Sequence, residues 1–76
     1  MRDLDRITLS SQVMGGRACI RGMRVTVAMV VNQIGSGQTI DEVLVDYPYL
    51  ERADILQAQS YAAWRAEKRE VVFDRT

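Results

Sequence analysis

Residues 39–69 read TIDEVLVDYPYLERADILQAQSYAAWRAEKR, two helical patterns parted by a proline. Thr39 followed three residues later by Glu42 is a capping-box signature: hydroxyl and carboxylate can satisfy backbone N–H groups that the first turn leaves free. Ile40, Val43, Leu44 and Tyr47 recur at helical spacing on one side of the segment that follows. Pro48 stops it. After Tyr49-Leu50, a long run without glycine or proline opens on Glu51 and Asp54, favourable near a helix N-terminus, and carries Lys68 and Arg69 near its end. Its alanines, Ala53, Ala58, Ala62, Ala63 and Ala66, favour helix, and Tyr61 and Trp64 give it bulk.

Upstream, Val27, Val30, Val31 and Ile34 form another apolar stripe, with Thr26 as N-cap and Gly35-Ser36-Gly37 as terminator. Before it lie β-prone runs: Ile7-Thr8-Leu9, Ala18-Cys19-Ile20 and Met23 to Val27. The last two flank Arg21-Gly22, and Gly22 can supply the positive φ of a tight hairpin turn. The sequence therefore predicts a mostly α single domain: a β element over 6–26, a three-helix core over 27–69 and a C-terminal arm over 70–76. In the arm, Val71-Val72-Phe73 reads as a strand, a docking arm or a frayed tail.

A packing helix, then a short helix, a tight connection and a longer helix is the arrangement of a helix-turn-helix domain. In that reading the third helix enters the major groove, where Arg52 bonds guanine or phosphate, Gln57 bonds adenine and Ser60 serves either. Any small three-helix bundle shares these stripes, and the other reading of those residues is a solvated face. Asp41, Glu42, Asp46, Glu51 and Asp54 repel phosphate, so the contact surface must exclude most of them or draw arginines from elsewhere. Arg17, Arg21 and Arg24 are the candidates, because Arg6 to Ile40 contains four arginines and no acid.

The whole chain has 76 residues, with ten basic and ten acidic side chains; nine of the ten cations are arginine. Zero net charge argues against a monomer that coats nucleic acid by charge alone. No histidine and one cysteine, Cys19, leave nothing for a zinc site, a Cys-His dyad, a haem ligand or an internal disulfide. The unpaired cysteine suits a reducing compartment, so the cytoplasm is expected. The longest apolar run, Val27 to Val31, is far short of a bilayer span, and Asp3 and Asp5 sit where a signal peptide needs positive charge. Capping and solvation explain Asp41, Glu42 and Asp46 better than a magnesium site does. Gly15-Gly16-Arg17 and Arg21-Gly22-Met23-Arg24 lack the Gly-Lys-Ser/Thr of a phosphate loop. No cofactor and no enzymatic activity are expected. A core this small predicts an oligomer or a bound partner.

Taken together, Gly15-Gly16-Arg17-Ala18-Cys19-Ile20-Arg21-Gly22-Met23-Arg24-Val25, the apolar helix, and Ile40-Asp41-Glu42-Val43-Leu44-Val45-Asp46-Tyr47-Pro48-Tyr49-Leu50 resemble a small bacterial domain family of unknown function, DUF433. The similarity covers approximately residues 6 to 63. Ala18 and Thr26 stand where prolines are common, and Met23 where a threonine is common. The resemblance implies a homeodomain-like helix-turn-helix with a small N-terminal β element, acting as the antitoxin of a type II toxin–antitoxin pair similar to the VapB class. The implied partners are a PIN-like ribonuclease toxin and operator double-stranded DNA, with no membrane.

The short strands predict a homodimer through Ile7, Leu9, Ile20 and Val25, since so small a sheet needs its face and edge covered. The rival expectation is that the strands pack on their own helices. The arm is assigned to the toxin through Arg69, Val71, Val72, Phe73 and Arg75, with Phe73 as anchor and Arg69 or Arg75 on the nuclease carboxylates that hold magnesium. The competing reading folds Val71 to Phe73 back on the protein itself or its dimer mate. An interaction or structural module without DNA binding is the functional alternative, and a small hydrolase a third.

Overall fold

The computed structural model describes residues 4–69, and the first two of its three helices begin where threonine hydroxyls cap them. Helix α1 spans Val27–Gly35, and the Thr26 hydroxyl accepts from the Met29 N–H at 3.0 Å. Helix α2 spans Ile40–Asp46 with the expected reciprocal pair: Glu42 N–H donates to the Thr39 hydroxyl at 3.1 Å, and Thr39 N–H donates to Glu42 Oε1 at 2.8 Å. Such caps contribute about 0.5–2 kcal/mol each. Helix α3, Arg52–Arg69, follows the connection around Pro48.

Two short strands precede the helices. Strand β1 (Ile7–Thr8) pairs antiparallel with β2 (Cys19–Ile20), Ile7 opposite Ile20 and Thr8 opposite Cys19. A 3-10 turn at Met14–Gly16 interrupts the loop between them. The hairpin turn places Arg21 at φ 46° and Gly22 at φ 72°, and Met23 N–H donates to the Ile20 carbonyl at 2.8 Å. Positive φ at both central positions is the type I′ geometry that suits the twist of a two-residue hairpin. The third strand expected over Met23 to Val27 shrinks to an isolated bridge between Cys19 and Thr26. Thr26 is already the cap of α1 and Val27 already helical, so the chain turns before it can extend the ladder.

The core comprises Ile20, Val25, Val27, Val30, Val43, Leu50, Ile55, Ala58 and Tyr61, with α1 packed chiefly on α3. A fully buried branched side chain such as Ile20 or Ile55 stabilises by roughly 1.5–3 kcal/mol. This corrects the expected dimer contacts: Ile20 is 0% and Val25 5% exposed inside the chain's own core, Ile7 is half-buried against it, and of the four only Leu9, 66% exposed, keeps its side chain at the surface. The sheet is covered by α3 of the same chain. The Arg6 N–H donates to Gln57 Oε1 at 2.9 Å, tying β1's leading edge to the middle of that helix.

Candidate functional site

Burying Ile55, Ala58 and Tyr61 fixes how α3 is rotated about its axis. Positions four apart on the other side must then face water. Arg52, Leu56 and Ser60 form that row, continued by Ala63, and all four are exposed. The row begins one turn from α2, with the Arg52 guanidinium on the Asp41 carboxylate. Both partners are well exposed, so the pair is worth only about 0–1 kcal/mol. Arg52 is therefore free to exchange Asp41 for another anion.

The other arginine–aspartate contacts differ in kind. Asp54 is 0% exposed and accepts from Arg6 Nη1 at 2.9 Å, Arg21 Nε at 3.1 Å, Arg21 Nη2 at 2.9 Å and the Glu51 N–H at 2.8 Å. Arg6 also reaches Glu51 at 2.7 Å, and Arg21 Nη2 donates to the Tyr49 carbonyl at 3.0 Å. Burial alone would push the Asp54 carboxyl upward in pKa. The hydrogen bonds from Arg21, the Glu51 N–H and Arg6 outweigh that push and hold it below the ordinary carboxylate range. Asp54 in turn raises the pKa of both guanidinium groups through its hydrogen bonds. One carboxylate thus clamps the N-terminal segment, the hairpin turn and the start of α3.

That clamp redistributes the residues expected to meet DNA. Arg21 is held by Asp54 in a two-point contact and is not a free phosphate ligand. Gln57 accepts from Arg6 N–H and donates to Asp5 Oδ1 at 3.0 Å, so its amide is engaged at both ends and sits off the outward row. Arg52 and Ser60 do share one face. Arg24 is exposed just beyond the hairpin turn, and Arg17 is exposed on the rim of a groove between α1 and the later turns of α3. Of the residues assigned to a toxin, Val71, Val72, Phe73 and Arg75 lie outside the described residues, and Arg69 is described only as the last residue of α3.

Sequence reasoning missed Arg6 and Leu56. Leu56 had a visible signal, because it falls four residues from both Arg52 and Ser60. Arg6 had none, since its partners are 45 to 51 residues away. Among the described residues no group of three or more His, Cys, Asp or Glu is placed to hold a metal ion, and no helix is long and apolar enough to cross a membrane.

Residues 7–62 match a family model described as "Protein of unknown function (DUF433)". No curated protein and no solved structure matches the chain.

Proposed function

The chain belongs to the family described as Protein of unknown function (DUF433), and from that premise we propose that it is a DNA-binding antitoxin whose α3 reads the major groove of its operator while the protein masks a PIN-like ribonuclease. The observation that carries this reading is the outward row Arg52, Leu56, Ser60 and Ala63. It lies on a helix of 18 residues joined to capped α2 by a short turn. A helix about 10–12 Å across with its side chains fits a major groove about 12 Å wide. Small side chains at Ser60 and Ala63 permit close approach, and Arg52 supplies a planar fork for guanine or phosphate. Arg24 serves the phosphate backbone.

Zero net charge gives one chain little non-specific attraction, so useful affinity requires two copies aligning two recognition helices. The clamp at Asp54 has a part in this account. It fixes the first turn of α3 against the β element, so that Arg52 leaves the protein at a set angle.

A second reading, an interaction module without DNA binding, is favoured by the exposed acids Asp41, Glu42, Asp46 and Glu51 beside the start of α3 and by Val45, 76% exposed on α2. One titration separates the two. With the duplex that precedes the protein's own gene, the DNA reading predicts binding that falls as salt rises and exceeds binding to a scrambled duplex. Equal or absent binding to both duplexes leaves the interaction module. Co-purification of a ribonuclease whose activity returns when this protein is removed tests the antitoxin part.

A further inference from the structure

We propose that the groove between α1 and α3 is filled by residues 70–76 of the same chain, with Val71, Val72 and Phe73 as its apolar content. The groove has a volume of about 850 Å³ and is floored by Ala18, Val27, Val31, Tyr61, Ala62 and Ala66. Arg17 and Arg65 border it. An apolar channel edged by two cations calls for an apolar segment flanked by acids. Residues 70–74, Glu-Val-Val-Phe-Asp, have that pattern, and they follow directly on the helix that forms one wall.

The distances allow it. From Arg69 back to Ala62 is seven residues of helix, about 10.5 Å along the axis. The four residues from Arg69 to Phe73 span about 13 Å when extended. A chain that reverses at the end of α3 therefore lays Phe73 against the turn containing Arg65 and Ala62, with Glu70 and Asp74 near the bordering arginines. The covalent tether favours the cis arrangement, because a short linker holds its segment at millimolar effective concentration. Burial there also removes three adjacent apolar residues from water. The assignment goes beyond the DNA reading and uses none of α3's outward row.

Nitroxide labelling of the full chain tests it. The chain carrying Cys19→Ala and Thr76→Cys, uniformly nitrogen-15 labelled, should lose amide signal selectively at Ala28, Val31, Ala62 and Ala66. The loss should disappear when Phe73→Asp is added, and also with Ala28→Glu, a change at an exposed position on the groove's α1 side. A mixture of isotope-labelled chains without nitroxide and unlabelled chains with it should show no loss. Signal loss at those residues that persists in the mixture would place the segment in a second copy, and no selective loss in either sample would leave the groove to another occupant; both overturn the proposal.

Discussion

Replacing Asp54 by asparagine removes one negative charge and leaves shape almost unchanged, so the effect isolates the clamp. Four hydrogen bonds converge on this fully buried carboxylate, three of them from guanidinium groups. Removing one partner of a fully buried ion pair costs about 3–5 kcal/mol. Here the arginine side chains are 29% and 37% exposed, so water reclaims part of their charge once Asp54 is neutral. That solvation brings the expected loss down to about 2–4 kcal/mol, against a total stability of roughly 4–11 kcal/mol for a domain of this length. At about 3 kcal/mol, the thermal midpoint should fall by roughly 12–24 °C. Asp41→Asn is the internal control, because it breaks an exposed arginine pair and should move stability by no more than about 1 kcal/mol. Urea unfolding followed by far-ultraviolet circular dichroism reads both. If the two variants lose the same small amount, Asp54 does not clamp the N-terminal segment to α3 and the reasoning fails.

Acid should act through the same group. The folded-state pKa of Asp54 is lowered from the ordinary 3.8, so its stabilisation is complete above that value and is lost as pH falls below it toward the folded pKa. The wild-type protein should lose stability more steeply than Asp54→Asn in that acidic window, with matching slopes near neutrality; identical slopes throughout would contradict the assignment. Gly22→Ala introduces a Cβ that meets no atom within 4 Å but must adopt φ 72°, so a loss of about 1–2 kcal/mol in urea unfolding is expected from backbone strain alone. Gln57→Ala should lower stability by about 1 kcal/mol through the Arg6 and Asp5 contacts, while sequence preference among duplexes in a competition assay stays unchanged.

The helices were legible because their signals are local. Thr26 and Thr39 announce starts, Gly35-Ser36-Gly37 and Pro48 announce stops, and the apolar stripes between them need only the helical period. The third strand failed for a local reason too: Thr26 and Val27 satisfy a strand pattern and a helix start equally, and helix won. The site was harder to read because its contacts join distant positions. Nothing in Arg21 distinguishes a phosphate ligand from a partner of Asp54, 33 residues away, until the fold brings them together. Gln57 has a helical position that reads as outward only if the rotation of α3 is unknown; the burial of Ile55, Ala58 and Tyr61 sets that rotation and turns Gln57 toward β1. Asp54 itself was read as a favourable charge in the first turn of α3, which is correct as far as a sequence can go.

The central claim is that the row Arg52, Leu56, Ser60 and Ala63 forms the nucleic-acid surface. Fluorescence anisotropy with the duplex preceding the protein's own gene tests it through a charge placed in the middle of that row. Ser60→Glu puts a carboxylate where phosphate and base edges would approach, and Gln12→Glu adds the same charge at an exposed position far away in sequence, in the loop between β1 and β2. The account predicts at least about a tenfold loss of affinity for Ser60→Glu, about 1.4 kcal/mol, with unchanged unfolding midpoints and near-normal binding for Gln12→Glu. Equal affinity of the two variants would contradict it.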